Sequence, residues 1–402
     1  MRRDRRNPVL PALAWVGNLA FLAVIGSYLF TYFQAVDGMF EEGTGNVMGR
    51  DFVVFWSGAA LSAGGQLAVL YDPEAFQAAL GRLFAYDAPY YTWTHPPHML
   101  FVVHPLAGLP YLWALAAWSL AGMAAYVAVI RKPAALCAPA TFVNLLIGQT
   151  GLLIGAVYVG ALALLRRRPM LAGLCIGLIS VKPHLGVLIP VALLAARAWR
   201  TFATAVLTVL AAVVLSALAF GWESWRAWLV DALPHQSSLL AGFDGSIMVS
   251  AFSGARIAGL PAWAAWLVQA PFTAVAVLAT WWAFSRLRRG SISATSASSV
   301  LLLSTVVATP YLFVYDLTLV SPVVLWAMAA WRHRAEKLRD LAELALWLAV
   351  WMVPALGMMI GSGVVPFVSV TLLAALLLTL WRSSRENLRR RHPGSKSKAA
   401  AL

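Results

Sequence analysis

Asp51 stands in Arg50-Asp51-Phe52, at the far end of a polar stretch that follows a long apolar segment. A carboxylate near a low-dielectric surface can have its pKa raised toward a value that suits a general base. It can equally cap a helix that starts at Phe52, or pair with Arg50. Lys182 and His184 flank Pro183 within apolar sequence. A lysine there needs water or an anionic partner, and a phosphate group would serve. The alternative is a lysine snorkelling to the surface, with His184 bonded to backbone. Gln149 could donate to a sugar hydroxyl or satisfy helix ends. In the stretch from Tyr90 to His98, Tyr91 and Trp93 offer faces that suit sugar rings and suit a lipid interface just as well. His95 and His98 are too few to hold a metal without further ligands, so neither a metal nor a cofactor is expected. Arg256 could complement a lipid phosphate or be an ordinary loop arginine. Asp316 lies in an apolar run and calls for a partner or a substrate contact.

These groups must be positioned by membrane-spanning elements. The chain is 61% hydrophobic and 11% charged, with a mean hydropathy of +0.76, so it reads as a polytopic membrane protein in contact with the bilayer. The net charge of +14 does not indicate a nucleic-acid partner, because of how the charge is distributed. All Lys and Arg residues except Arg50, Arg82, Lys182, Arg226 and Arg256 fall in clusters between apolar segments or at the termini. If those clusters face the cytoplasm, the positive-inside bias is satisfied at every step and both termini are cytoplasmic. Seven acidic residues lie between Asp37 and Asp87, on the opposite side. Cys137 and Cys175 imply neither a disulfide framework nor a zinc site.

The apolar segments read as 9–33, 98–130, 138–148, 150–165, 169–181, 184–197, 201–220, 263–285, 296–309, 311–331, 343–360 and 364–381, about twelve transmembrane helices in all. Two large extracytoplasmic loops remain, 34–97 and 221–262. The first contains Phe52 to Leu61, apolar enough for a short helix lying at the interface, with Gly64-Gly65 as its breaker. Residues 1–385 read as a single transmembrane domain, and 386–402 as a basic, disordered cytoplasmic tail. Residues 138–165 must cross twice within roughly 42 Å of helix, against about 60 Å for two full crossings. The turn at Gly148-Gln149-Thr150-Gly151 is therefore recessed, and the same sum applies to the turn carrying Lys182-Pro183-His184. Irregular backbone at that depth implies a polar pocket beneath the first loop.

Taken in order, Arg50-Asp51-Phe52, Gly64-Gly65, Leu70-Tyr71-Asp72, Thr94-His95-Pro96-Pro97, Ile147-Gly148-Gln149, Val181-Lys182-Pro183-His184, Pro310-Tyr311 and Tyr315-Asp316 resemble glycosyltransferase family 87 over residues 9 to 331. The resemblance implies an all-α GT-C-type glycosyltransferase fold at the cytoplasmic membrane, with its active site on the extracytoplasmic face. It also implies a polyprenyl-phosphate-linked sugar donor, commonly of mannose, and a glycolipid or polysaccharide acceptor. Asp51 maps onto the catalytic aspartate of the first loop. Lys182, His184 and Arg256 would hold the donor phosphate, and Arg50, Tyr91, Trp93, His95, His98, Gln149 and Asp316 would contact substrate. His95 departs from the family pattern, which often has tyrosine before the paired prolines. A reading from a different class is a transporter or flippase of a lipid-linked or anionic substrate, because broken helices also build transport sites.

Overall fold

The computed structural model describes residues 46–84, 90–242, 247–331, 338–360 and 365–391. The expected first span, 9–33, lies outside the described residues, as do Asp37, Glu41 and Glu42. Among the described residues the regular structure is mainly helical, with an isolated antiparallel bridge between Met248 and Phe313.

Helix α1 (Phe52–Ala63) begins at the expected place and ends at Gly64-Gly65, where Gly65 takes a φ of 71°. Its environment differs from expectation. Phe52, Val53, Phe55 and Ala59 are all buried, so α1 packs inside the protein and does not lie on lipid. Phe52 and Phe55 rest on Trp118, with ring centroids 6.1 and 5.4 Å away. Helix α2 (Pro73–Phe84) starts where Asp72 accepts from the backbone N–H groups of Glu74 and Ala75, each at 3.0 Å. That is the ordinary capping use of an aspartate.

The expected span 98–130 is broken at its start. Pro97, Pro105 and Pro110 remove backbone donors, and short turns of helix occupy 97–108 before α3 (Tyr111–Ile130) runs at full length. Next come α4 (Pro139–Ile147), of 9 residues, and α5 (Gly151–Leu164), of 14. At about 1.5 Å per residue neither reaches the roughly 30 Å of a bilayer core, so the turn between them is internal. The same holds for α6 (Pro169–Leu178), the turn Ile179–Val181, the single turn Pro183–Gly186 and α7 (Ile189–Ala196).

Helix α8 (Trp199–Phe220) packs along α6 and exposes Leu207, Leu210, Val214 and Leu218, an apolar face suited to lipid. The segment after it folds into α9 (Trp222–Ala227), a π-helical turn, α10 (Leu233–Gly242) and α11 (Ala251–Ile257). The remaining helices are α12 (Ala262–Arg288), α13 (Ala294–Ala308), α14 (Ser321–Trp331), α15 (Leu338–Ile360) and α16 (Val365–Arg391). Helix α16 continues to Arg391, past residue 386, from which disorder is expected. Among the described residues four helices are long and apolar enough to cross a membrane: α3, α8, α12 and the Val365–Glu386 part of α16. The other expected segments among them form shorter helices, apart from α15, which has 23 residues and contains Pro354.

The segments on either side of the bundle sequence meet in space. Trp228 Nε1 donates to Thr94 O at 3.0 Å, and Tyr90 Oη lies 2.9 Å from His235 Nε2. The stretch 90–98 is thus clamped by α9, α10 and the turn between them.

Candidate active site

Asp51 immediately precedes α1, yet its side chain makes no capping hydrogen bond. The backbone before it is tightly bent, with φ of 84° at Gly49 and 41° at Arg50. A positive φ at arginine is uncommon and is held only where surroundings fix it. Here Tyr111 Oη donates to Met48 O at 2.6 Å and Arg50 N to Val47 O at 2.7 Å. The carboxylate is thereby released from its local role. Gln149 Nε2 donates to Asp51 Oδ2 at 2.9 Å across 98 residues of sequence.

Gly148 makes that bond possible. Its φ is 66°, and a Cβ there would lie 2.5 Å from Phe52 Cβ and 2.7 Å from Gly49 O. Only glycine allows both the left-handed turn and the close approach of the 49–52 backbone. Trp118 Nε1 donates to Gly148 O at 3.1 Å from the other side. Asn144, in the amide orientation that pairs both its ends, donates to Gln149 O at 3.0 Å and accepts from Gly151 N at 2.8 Å.

The second recessed turn carries charge. Lys182 Nζ donates to Asp316 Oδ1 at 2.9 Å, with both side chains buried. His184 Nε2 lies 4.0 Å from Asp316 Oδ2. Lys182 Nζ also sits 4.7 Å from the ring centroid of Tyr315, which stacks on Phe313 at 5.1 Å. Asp316 is positioned from two sides. Val314 N donates to Ile247 O and Val249 N to Leu312 O, tying the 312–316 segment to the region before α11. Thr318 Oγ1 donates to Gly151 O at 2.9 Å, tying it to the Gln149 turn. A buried ion pair of this kind is held against a large desolvation cost, and losing one partner strands the other.

The two turns form one site. Asp51 lies within electrostatic range of Lys182, and Tyr315 within range of both Asp51 and Asp316. Withdrawal from water raises the Asp51 pKa above its ordinary 3.8, while the Gln149 hydrogen bond and the charges of Lys182 and Arg50 oppose the shift. His95 sits between Phe55 and Trp93, its ring 5.1 and 5.4 Å from theirs. Burial, then the charges of Lys182 and His184, push its pKa down to about 3. His95 is therefore a neutral imidazole at ordinary pH, able to hydrogen-bond without adding charge.

The remaining sequence candidates are placed otherwise. Trp93 is buried, and its indole fills the space a Cβ at Gly58 would need, 2.3 Å from Trp93 Cζ3. It props His95 from below and presents no open face for a sugar. His98 is buried, stacked on Trp225 at 5.7 Å, with Nε2 3.0 Å from Ser180 Oγ. It links α9 to the turn that carries Lys182. Tyr91 Oη donates to Asn46 Oδ1 at 3.3 Å, and Tyr91 N to Gln77 Oε1 at 3.1 Å. Arg256 Nη1 donates to Leu260 O at 2.7 Å, at the end of its own helix. Arg50 is half-buried and acts on Asp51 through its charge.

The sequence marked Tyr315 only as part of a motif, without a role, and did not single out Asn144 or Thr318. Tyr315 adjoins Asp316, and its aromatic ring beside an apolar-run carboxylate was the available signal. Asn144 and Thr318 gave none, because each is an isolated polar residue in an apolar segment.

Chemically, the arrangement offers a carboxylate with one neutral hydrogen-bond donor, a lysine held by a second carboxylate, and a neutral imidazole, all carried on turns between helix ends. It suits removal of a proton beside a site that stabilises a departing anion. A family model, that of glycosyltransferase family 87, matches residues 93–310, just over half of the chain. The matched stretch includes His95, Gln149, Lys182 and His184; Asp51 and Asp316 lie outside it. No curated protein and no solved structure matches the chain.

Proposed function

Because the chain belongs to glycosyltransferase family 87, we propose that this membrane glycosyltransferase takes a sugar, mannose, from a polyprenyl-phosphate donor and transfers it to an acceptor hydroxyl on the extracytoplasmic face. The observation that carries the reading is that Asp51, held by Gln149, and Lys182, held by Asp316, lie within electrostatic range of each other on turns between helices too short to span.

In this mechanism the acceptor oxygen attacks the anomeric carbon as its proton passes to an Asp51 carboxylate oxygen. The bond from the anomeric carbon to the phosphate oxygen breaks, and its electron pair leaves with the phosphate. A single displacement inverts the anomeric centre, so a β-linked donor gives an α-linked product. Lys182 and His184 face the leaving phosphate, and their positive charge or N–H groups lower the energy of the developing anion. Asp316 keeps Lys182 in place until the phosphate arrives. A phosphate ester is a good leaving group at neutral pH, so positioning and charge stabilisation suffice. A recess within the bilayer suits a donor whose lipid remains in the membrane.

Transport of a lipid-linked substrate is the competing reading. Purified protein in sealed vesicles, supplied with labelled polyprenyl-phosphate mannose and membrane acceptors, separates the two. The proposal expects label to appear covalently on an acceptor, with release of polyprenyl phosphate. Label that crosses the membrane and is recovered only as intact donor would overturn it. Nucleotide-linked mannose supporting transfer equally well would overturn the donor assignment.

A further inference from the structure

At the end of α13 remote from the recess, a second polar feature is built into the helices. Three helices each turn a hydrophilic face toward one cavity of about 630 Å³. From α16 come Thr379, Arg382, Ser383 and Glu386, spaced at helical intervals so that they share one side. Helix α15 contributes Asp340, Glu343 and Trp347 on the same principle, and the first two turns of α13 contribute Ser296 and Ser299. The same helix, α13, reaches the recess at its other end, where Thr309 Oγ1 faces His184 O at 3.5 Å. The bundle therefore carries one polar site at each end.

The charges in this cavity are organised. Arg382 pairs with the buried Glu343, whose Oε1 also accepts from Trp347 Nε1 at 3.3 Å. Glu386 accepts from Ser296 Oγ at 2.7 Å, at the N-terminus of α13. Arg385 lies over Trp381, 4.0 Å from its ring centroid. Charged side chains packed between apolar helices call for partners or a ligand. Among the described residues, three carboxylates and two guanidiniums line this cavity, a set that suits neither a simple anion nor a simple cation. A simple anion would meet the carboxylates, and a simple cation would meet the guanidiniums.

We propose that this cavity binds the headgroup of a zwitterionic phospholipid bearing a primary ammonium, from the leaflet opposite the catalytic recess. Arg382 and Arg385 take the phosphate, Asp340 and Glu386 take the ammonium, and Trp326, Trp347 and Trp381 cover the glycerol region, where indoles favour the membrane interface. The seryl and threonyl hydroxyls satisfy the remaining oxygens. The proposal is independent of the donor and acceptor named above.

Native mass spectrometry of the detergent-purified full chain, titrated in turn with phosphatidylethanolamine, phosphatidylcholine and phosphatidylglycerol, tests it. Phosphatidylethanolamine is expected to bind about tenfold more tightly than either of the others. Phosphatidylcholine has the same charges but no ammonium protons to donate, and phosphatidylglycerol has no cation. Thr295 and Arg385 are exposed at the mouth, so Thr295→Trp and Arg385→Ala can be made without disturbing the core. Each is expected to weaken phosphatidylethanolamine binding about tenfold while leaving sugar transfer unchanged. Equal binding of phosphatidylglycerol would reduce the site to an anion site and overturn the proposal. Equal binding of phosphatidylcholine, or phosphatidylethanolamine binding unaffected by both substitutions, would also overturn it.

Discussion

Asp51 and Asp316 are two aspartates of one polar cluster with opposite surroundings. Asp316 is buried and engaged by a lysine, with a histidine at 4.0 Å. Asp51 is only partly buried and takes its hydrogen bond from a neutral amide. A carboxylate already paired with an ammonium is a poor proton acceptor, because protonation would break the pair. One held by an amide can accept a proton and keep its partner. In the proposed mechanism the difference in partner gives the two residues different work: Asp316 holds the lysine, and Asp51 serves as the base.

The largest test of that division is a pair of isosteric substitutions. Asp51→Asn is expected to lower the rate of transfer by about 10³-fold, within the usual range for loss of a general base, with little change in thermal unfolding. Asp316→Asn is expected to act on the fold as well. It leaves Lys182 buried without a counter-charge, a loss of roughly 3 kcal/mol in stability. Unfolding curves and initial rates on the same preparations distinguish the two patterns, and identical behaviour of both variants would remove the comparison.

A smaller effect is expected at Gln149. Its hydrogen bond favours the ionised form of Asp51, so Gln149→Leu raises an already raised pKa. A base works only when ionised, so transfer falls as pH drops through that pKa. The acid limb of the kcat/KM profile should therefore lie above the ordinary carboxylate value in the native enzyme and move to still higher pH in the variant. An unmoved limb would detach Gln149 from the base. The smallest effect is expected at His95. Held neutral with a pKa of about 3, it contributes no titration near neutrality. His95→Phe, which keeps the ring packing between Phe55 and Trp93, should leave the shape of the pH profile unchanged and lower the rate by less than about tenfold. A lost or shifted limb would show that His95 exchanges protons.

The breaks between short helices were legible in the sequence to the extent that they follow from local arithmetic. Segments too short to cross twice forced the turns at Gly148-Gln149 and at Lys182-Pro183-His184 inward, and the helices have those lengths. The start of α1 and its glycine stop were equally local. What the sequence withheld was pairing across distance. Nothing near Lys182 names Asp316 as its partner, 134 residues away. The aromatic run from Tyr90 to Trp93 likewise gives no sign that Trp93 turns inward to fill the space beside Gly58 while Tyr90 remains exposed. His98 resembled a substrate ligand because its stacking partner, Trp225, belongs to a segment expected as a loop. Residue type indicates that a buried charge needs a partner, but packing decides which one.

The proposed role of Asp51 is removal of the proton of the acceptor hydroxyl. It is tested most directly by comparing an alkyl glycoside acceptor with its analogue in which the reacting hydroxyl is a thiol, using native enzyme and Asp51→Asn under single-turnover conditions. A thiol ionises far more readily than an alcohol and needs little help from a base. Asp51→Asn is expected to lose about 10³-fold with the hydroxyl acceptor and less than about tenfold with the thiol. An equal loss with both acceptors, or transfer to the hydroxyl near the native rate, would contradict it.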